Sequence, residues 1–134
     1  MQSNIGIQAE AAVDVLLVED DELVLETLGE ALRQAGFNAE RHANAESALE
    51  SMGESQPKAV VTDINLGSGM DGVALGRTLR SRFPDVPVVY ISGRYSELRG
   101  LTAQERFLLK PFSPAVLLRA LQDLNVAIAR DLAF

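Results

Sequence analysis

The sequence predicts an α/β fold: a five-stranded parallel sheet in the doubly wound, flavodoxin-like arrangement, with strand order 2-1-3-4-5. Two observations lead to this prediction. Short apolar runs alternate along the chain with segments in which apolar residues recur at helical spacing, the pattern of repeated β-α units. The strand runs are apolar at nearly every position, which indicates strands that helices cover on both faces.

Three strands and two helices are predicted in the first half of the chain. Gly36 stands where the C-terminal cap of the first helix belongs, and Asn44 can cap the second helix. Pro57 breaks the chain before the third strand. In order, the predicted elements are a strand at 13–18, a helix at 22–35, a weak strand at 37–42, a short helix at 45–52 and a strand at 59–64.

The second half of the chain completes the five units. Asp71 is placed to cap the third helix. Ser113 and Pro114 form a helix start signal, with serine at the cap and proline at the first helical position. The predicted elements are a helix after residue 71, a strand at 88–91, a strand at 107–109 and a final helix from 114.

Residues 94–105 carry the weakest helical signal of the chain. Only Leu98 and Leu101 stand at helical spacing, and Gly100 interrupts them. We therefore expect at most one short helix between the fourth and the fifth strand.

Length and composition restrict the function classes. The 134 residues fit one domain, which we place at 13–131 after a tail or linker at 1–12. The absence of cysteine excludes disulfides and thiol nucleophiles, and the net charge of −7 argues against a nucleic-acid surface. No apolar run approaches the roughly 20 residues that span a bilayer. The N-terminus lacks the features of a secretory signal. We expect a cytoplasmic protein without nucleic-acid or membrane partners.

Polar side chains stand at the carboxyl ends of four predicted strands, the edge where open α/β sheets bind ligands. They are Glu19 and Asp20 after the first strand, Asp63 after the third, Ser92 after the fourth and Lys110 after the fifth. Each residue alone would be an ordinary turn or strand-end residue. Their coincidence at one rim indicates a functional site.

The chemistry of this rim follows from its charges. Carboxylates at about 4 Å repel one another by roughly 4 kcal/mol at an effective dielectric constant near 20. Such a cluster needs a cation, and ligands that are all oxygen favour Mg²⁺, with Mn²⁺ as an alternative. A carboxylate that Mg²⁺ and Lys110 keep ionised can attack phosphorus. Ser92 offers a hydroxyl donor to a phosphoryl oxygen.

Four segments, VLLVEDDELV, VVTDINLGSGMDG, VVYISG and FLLKPF, resemble in this order the motifs of response-regulator receiver domains. The likeness covers roughly residues 13–131 and implies the receiver fold. It also implies a phosphorelay function: a histidine kinase or histidine phosphotransfer protein donates a phosphoryl group, and the domain switches conformation. A receiver is a signalling module and not a turnover enzyme on an external substrate.

The resemblance implies a role for each matching residue. Asp63 would be the phosphorylated aspartate and a metal ligand, Asp20 would bind Mg²⁺ directly and Glu19 through water. The backbone carbonyl of Asn65 would complete the protein ligands. The remaining roles are phosphoryl contacts from Ser92 and Lys110, a conformational switch at Ser92 and Phe107, and a cis peptide bond at Lys110-Pro111.

The chain departs from the family pattern at three places. The loop after Asp63 is glycine-rich where many members carry a Met-Pro pair. Phe107 replaces the common switch tyrosine, so packing alone must carry that part of the signal. The stretch from Ser92 to Lys110 is shorter than usual by about one helical turn (roughly four residues). We therefore expect the fourth helix of the family to be short or missing.

Other functions remain open on the sequence alone. A degenerate receiver would act as a protein-binding module without phosphorylation, but it would normally lack the acceptor, the metal acids or the lysine. An aspartyl-phosphate phosphatase would need an acid where Asn65 stands, and an FMN protein would need a phosphate-binding loop in place of the acids after the first strand. A histidine phosphosite would need an exposed helical setting. His42 lies near the second strand, away from the predicted rim, and we interpret it as surface or edge structure.

Overall fold

The computed structural model describes residues 12–53, 56–94, 98 and 100–126. The predicted tail at 1–12, except Ala12, and the predicted end of the domain at 127–131 lie outside the described residues. The described elements are β1 (Val15–Val18), α1 (Glu22–Gln34), β2 (Ala39–His42), α2 (Ala45–Ser51), β3 (Ala59–Asp63), α3 (Gly72–Arg82), β4 (Val88–Ser92), β5 (Glu105–Leu109) and α4 (Pro114–Asp123).

The five strands form one parallel sheet in the order β2-β1-β3-β4-β5, which confirms the predicted fold class. Their register aligns the carboxyl ends at one edge. Val18 lies opposite both His42 and Thr62, and Ser92 lies opposite Leu109. The residues that follow each strand therefore meet along a single rim of the sheet, as the sequence predicts.

Helices cover both faces of the sheet, so successive residues of the inner strands enter different apolar clusters. Val15 and Leu17 of β1 face the cluster that includes Leu28 of α1 and Leu121 of α4. The intervening Leu16 and Val18 face the cluster that α2 and α3 contribute through Ala45, Ala48, Leu75 and Leu79. Burial of a leucine side chain is worth about 1.5–3 kcal/mol, so these two layers hold the sheet rigid beneath the rim.

Side-chain caps start three of the helices. Asp21 accepts hydrogen bonds from the backbone N–H groups of Leu23 and Val24 at the start of α1. The predicted caps Asn44 and Asp71 are confirmed. Ser113 occupies the cap position of α4, as predicted, although its side chain makes no cap hydrogen bond. Pro114 in the first turn supplies the start instead.

No helix occurs between β4 and β5 in the residues described there, 93–94, 98 and 100–104. This agrees with the prediction of a short or missing helix. β5 begins at 105, two residues earlier than predicted, because a tight turn leads directly into it. In that turn the Thr102 N–H donates to Glu105 Oε1 at 2.9 Å, and the Glu105 N–H donates to the Thr102 carbonyl at 3.1 Å.

In the part of the chain that the structure describes, no helix has the length and apolar character required to cross a bilayer.

Candidate functional site

Three carboxylates converge at the carboxyl edge of the sheet. Glu19 and Asp20 follow β1, and Asp63 ends β3. One carboxylate oxygen from each lies within 4.8 Å of the others. Glu19 and Asp63 are buried, with 1% and 6% of their surface exposed, whereas Asp20 is exposed. We call these three residues the acidic site. The strand-end reasoning predicted this convergence.

Lys110 reaches the acidic site from the end of β5. Its Nζ donates to Glu19 Oε1 at 2.9 Å and to Asp63 Oδ2 at 2.8 Å. Its backbone N–H donates to the Ser92 carbonyl at 2.7 Å and so extends the pairing of β4 with β5. The peptide bond between Lys110 and Pro111 is cis, in agreement with the expectation. One ammonium group is thus shared between two buried carboxylates.

The backbone around Asp63 is held closely by the start of α3. The N–H of Asn65 donates to Asp63 Oδ1 at 2.9 Å, and the N–H of Gly72 donates to the Ile64 carbonyl at 2.9 Å. A Cβ at Gly72 would lie only 2.1 Å from the backbone oxygen of Asp63. Glycine is therefore required here, because the helix begins in contact with the peptide that carries the Asp63 carboxylate.

The charges of the acidic site are incompletely balanced by the protein. Burial raises the pKa of Glu19 to about 7, against the opposing effect of the hydrogen bond from Lys110. Burial acts to lower the pKa of Lys110, but its hydrogen bonds to Asp63 and Glu19 outweigh that effect and raise the pKa above the usual value. When all three carboxylates are ionised, they and the one ammonium sum to a charge of −2 (−3 + 1).

A hard divalent cation fits this arrangement. The donor set offers only oxygen, the ligand type that Mg²⁺ prefers, and the residual charge of −2 matches its charge. Glu19, Asp20 and Asp63 are the residues that would hold it, with the Asn65 carbonyl next along the chain. The family resemblance implies the same set.

Ser92 and Phe107, the expected switch residues, lie close to the site without joining it. Ser92 is buried at the end of β4, and its Oγ accepts a hydrogen bond from the Arg94 N–H at 3.3 Å. No hydrogen bond among the described residues links that hydroxyl to Asp63 or Lys110. Phe107 is half-buried, packs on the α2–α3 side of the sheet and lies opposite Tyr90 in the register.

The placement of His42 away from the rim is wrong. It ends β2, and its backbone carbonyl accepts the N–H of Glu19 at 3.0 Å, so it borders the acidic site. Its assignment to edge structure is confirmed, because β2 is an edge strand and the ring is held locally. Nδ1 contacts Ser47 Oγ at 2.8 Å, and Nε2 contacts Glu40 Oε1 at 2.9 Å.

Two residues near the site escaped the sequence reasoning. Gly72 was read only as part of a helix start, and its close contact with the Asp63 peptide depends on how α3 packs. Glu46 of α2 accepts the Met70 N–H at 2.7 Å, across 24 residues of sequence. The available signal was the glycine-rich loop itself, because its backbone N–H groups need partners that the loop cannot supply.

Comparison with known proteins gives a consistent result. A family model described as a response regulator receiver domain matches residues 15–122. The transcriptional regulatory protein PrrA of Mycobacterium tuberculosis is 39% identical over 114 residues, which make up 82% of this chain and 48% of PrrA. The chain spans about half the length, or less, of the curated relatives that it matches first.

Solved structures of receiver proteins share the fold along almost their whole length. A response regulator receiver protein from Sinorhizobium medicae superposes with a TM-score of 0.75 and 31% identity, over 85% of this chain and 95% of the other. A receiver domain from Methylobacillus flagellatus gives a TM-score of 0.73 and 30% identity, over 85% and 99% of the two chains.

Proposed function

The chain belongs to the receiver-domain family of response regulators, and from that premise we propose that it accepts a phosphoryl group on Asp63 in a Mg²⁺-dependent reaction. One observation carries the proposal. The Asp63 carboxylate lies at the carboxyl edge of the sheet, 2.8 Å from Lys110 Nζ and within 4.8 Å of the ligand atoms of Glu19 and Asp20. The same residue therefore has an activating cation on one side and a metal-binding set on the other.

In the proposed reaction an oxygen of Asp63 attacks the phosphorus of a phosphohistidine. A P–O bond forms, the P–N bond breaks, and its electron pair stays on the imidazole nitrogen. Lys110 donates to Asp63 Oδ2 and can donate to the transferred group, while the Asn65 N–H orients the carboxylate. A bound Mg²⁺ would offset the negative charge of the carboxylates and of the phosphoryl group.

The conformational response would begin at Ser92. Among the described residues its Oγ accepts one long hydrogen bond, from the Arg94 N–H at 3.3 Å, and its own O–H could turn to donate to a phosphoryl oxygen. Ser92 is linked to Lys110 through the backbone hydrogen bond of 2.7 Å. A rotation of Ser92 would thus move the start of the 93–104 segment, and Phe107, which is half-buried, would repack with it.

The proposed partner is a histidine kinase or a histidine phosphotransfer protein. The family supports this assignment, and so does an apolar groove of about 280 Å³ beside Lys110. The groove lies between α1 and the turn after β5, and Leu23 at its border is 71% exposed. An apolar partner surface seated there would bring its histidine close to Asp63.

The proposal is tested by intact-mass analysis after incubation with acetyl phosphate, with and without Mg²⁺. We expect the wild-type protein to gain one phosphoryl group only when Mg²⁺ is present, and Asp63→Asn to gain none. Asp85→Asn is the matched control, because Asp85 is exposed in the turn before β4 and far from the rim.

The result also decides between the proposal and its alternative. A wild-type protein that neither binds Mg²⁺ nor gains mass would favour a degenerate receiver that acts as a binding module. A gain of mass that persists in Asp63→Asn would place the acceptor elsewhere and contradict the proposal.

A further inference from the structure

The glycine-rich loop, residues 65–71, joins the acceptor strand to α3 and lies beside the acidic site. Leu66 is buried and fixes its beginning, and Asp71 caps α3 at its end. The middle of the loop is exposed, and Gly67 and Gly69 have φ values of +76° and +86°. Such a segment has high conformational freedom, so something else must hold it in place.

Glu46 supplies that contact from the first turn of α2. Its Oε2 accepts the Met70 N–H at 2.7 Å. A Cβ added to Gly69 would lie 2.9 Å from the same oxygen, so the carboxylate lies directly against the loop backbone. The contact adds a hydrogen bond to the apolar packing between the two segments, in which Leu66 and Met70 share a cluster with Ala45 and Ala48 of α2.

The opposite side of the loop faces Asp20. A Cβ added to Gly67 would lie 3.2 Å from Asp20 Oδ2, so the loop backbone packs closely against this carboxylate. Asp20 is the exposed member of the acidic site and has no hydrogen bond of its own among the described contacts. The loop therefore borders the Asp20 carboxylate on this side, and a displaced loop would change the room that the carboxylate has.

We propose that Glu46 is a positioning residue, whose carboxylate holds the glycine-rich loop against Asp20 and so sets the geometry of the Mg²⁺ and phosphoryl site. This inference rests on the proposed function. Without Glu46 the loop would be more mobile in the metal-free protein. Metal binding would then have to order the loop as well, and the entropy cost of that ordering would weaken binding. We expect the Kd for Mg²⁺ to rise about five- to tenfold in Glu46→Ala, the size of effect expected for loss of one ordinary hydrogen bond, because Glu46 acts on the site through the loop.

Glu46 is not required for α2 itself. Asn44 caps this helix, and His42 contacts its Ser47 hydroxyl. Ala45 and Ala48 bury its inner face in the core. Glu46→Ala should therefore remain folded in EDTA, with thermal unfolding lowered only by the loss of the Met70 hydrogen bond and of an acid in the first helical turn.

The experiment compares Glu46→Ala, Glu46→Gln and Glu50→Ala. Glutamine keeps a carbonyl oxygen that can accept the Met70 N–H, and Glu50 is an exposed acid one turn later on the same helix, so the two controls separate the hydrogen bond from the charge. Titration calorimetry gives the Kd for Mg²⁺, and hydrogen exchange of the Met70 amide in EDTA reports the loop contact directly. We expect faster exchange and weaker binding in Glu46→Ala, and near wild-type values in both controls.

The proposal is wrong if Glu46→Ala keeps the wild-type affinity for Mg²⁺ and the wild-type exchange rate, or if Glu46→Gln is as weak as Glu46→Ala. Failure of the proposed function looks different. In that case the wild-type protein itself would not bind Mg²⁺, while the exchange of the Met70 amide would still show whether Glu46 holds the loop.

Discussion

Glu19 and Glu105 are two buried carboxylates at opposite ends of the strands of one sheet: Glu19 follows the carboxyl end of β1, and Glu105 begins β5. Their surroundings shift their pKa values in opposite directions. Glu19, 1% exposed, shares its one cation, Lys110, with Asp63. Burial raises its pKa to about 7. Glu105, 5% exposed, also experiences burial, yet its pKa lies below the usual value.

The two carboxylates differ in the number of hydrogen-bond donors that they do not share with another carboxylate. One nitrogen of Arg80 contacts both oxygens of Glu105, at 2.9 and 2.8 Å. The Thr102 N–H donates at 2.9 Å and the Tyr90 hydroxyl at 3.3 Å. We call these residues, Arg80, Tyr90, Thr102 and Glu105, the Glu105 cluster.

The comparison distinguishes a structural carboxylate from a functional one. The Glu105 cluster satisfies its own charge and needs nothing from solution. The acidic site has three carboxylates for one ammonium, so a cation bound from solution would stabilise it further. A buried acid alone therefore does not indicate a site, whereas a buried acid with too few partners does.

The largest losses of stability are expected when the cationic side chain is removed from the acidic site or from the Glu105 cluster. Lys110→Ala removes the cation that Glu19 and Asp63 share and leaves them only backbone donors among the described residues, and we expect the free energy of unfolding in EDTA to fall by about 3 kcal/mol. Millimolar Mg²⁺ should restore a large part of this loss, because the acidic site can take its cation from solution. Urea denaturation with and without Mg²⁺ measures both values.

Arg80→Ala is the counterpart at the Glu105 cluster. We expect a lower Tm that Mg²⁺ does not restore beyond its effect on the wild-type protein, since no metal-binding set lies there among the described residues. Arg77→Ala, another exposed arginine of α3, controls for the loss of a surface charge. Equal recovery of Lys110→Ala and Arg80→Ala in Mg²⁺ would contradict the distinction between the two places.

Two glycines of α3, one turn apart, test the same comparison, because Gly72 packs against the acidic site and Gly76 against the Glu105 cluster. A Cβ at Gly72 would lie 2.1 Å from the backbone oxygen of Asp63, and a Cβ at Gly76 would lie 1.8 Å from the Tyr90 hydroxyl. We expect Gly72→Ala and Gly76→Ala each to lower the free energy of unfolding by about 2–3 kcal/mol, because neither buried neighbour can move freely.

Only Gly72→Ala should also weaken Mg²⁺ binding, because it displaces the peptide of the acceptor. Gly76→Ala moves the Tyr90 ring within the Glu105 cluster and leaves the acidic site in place. Calorimetric titration of both variants checks this. A similar loss of Mg²⁺ affinity in Gly76→Ala would mean that the two places are mechanically coupled through α3.

The sequence predicted the fold and the members of the acidic site for one reason: both follow from local patterns. Apolar runs located the strands, and parallel strands bring the residues after them to one edge. Glu19, Asp63 and Lys110 therefore met as predicted, although they lie far apart in the chain.

The Glu105 cluster and the Glu46 contact had no comparable local signal. Arg80 and Glu105 are 25 residues apart, and their pairing depends on how α3 packs against the sheet. Glu105 was not even assigned to a strand, because a charged residue weakened the apolar pattern at 105–106. Hydrophobic periodicity therefore does not predict contacts between single side chains that lie far apart in the sequence.

The ionisation of Tyr90 provides a pH test of the Glu105 cluster. Burial, together with the negative charge of Glu105, raises the pKa of Tyr90 to about 12, against about 10 in an unfolded chain. The folded state holds the proton more tightly, so the stabilisation is complete below pH 10 and is lost as the pH rises through 12. Between pH 9 and 11 the wild-type protein should lose about 1 kcal/mol more than Tyr90→Phe.

Urea denaturation of the two proteins at each pH measures this difference. Lys110 is present in both proteins, so its contribution to the pH dependence of stability cancels. Parallel losses in the wild-type protein and in Tyr90→Phe would show that the hydroxyl of Tyr90 is not held by the cluster in its neutral form.

The smallest effect is expected at Gly29 of α1, where the clash is of another kind. A Cβ there would lie 2.2 Å from Nε of Arg41, but that side chain is long, exposed and free to turn away. The helix would gain up to about 1 kcal/mol from the replacement of glycine by alanine. Gly29→Ala should therefore be neutral or slightly stabilising in urea denaturation, with unchanged Mg²⁺ binding. A loss of unfolding free energy as large as that of Gly76→Ala would mean that any helical glycine in this chain is sensitive to a Cβ. The contacts of Gly72 with the Asp63 peptide and of Gly76 with Tyr90 would then not explain the effects of those two substitutions.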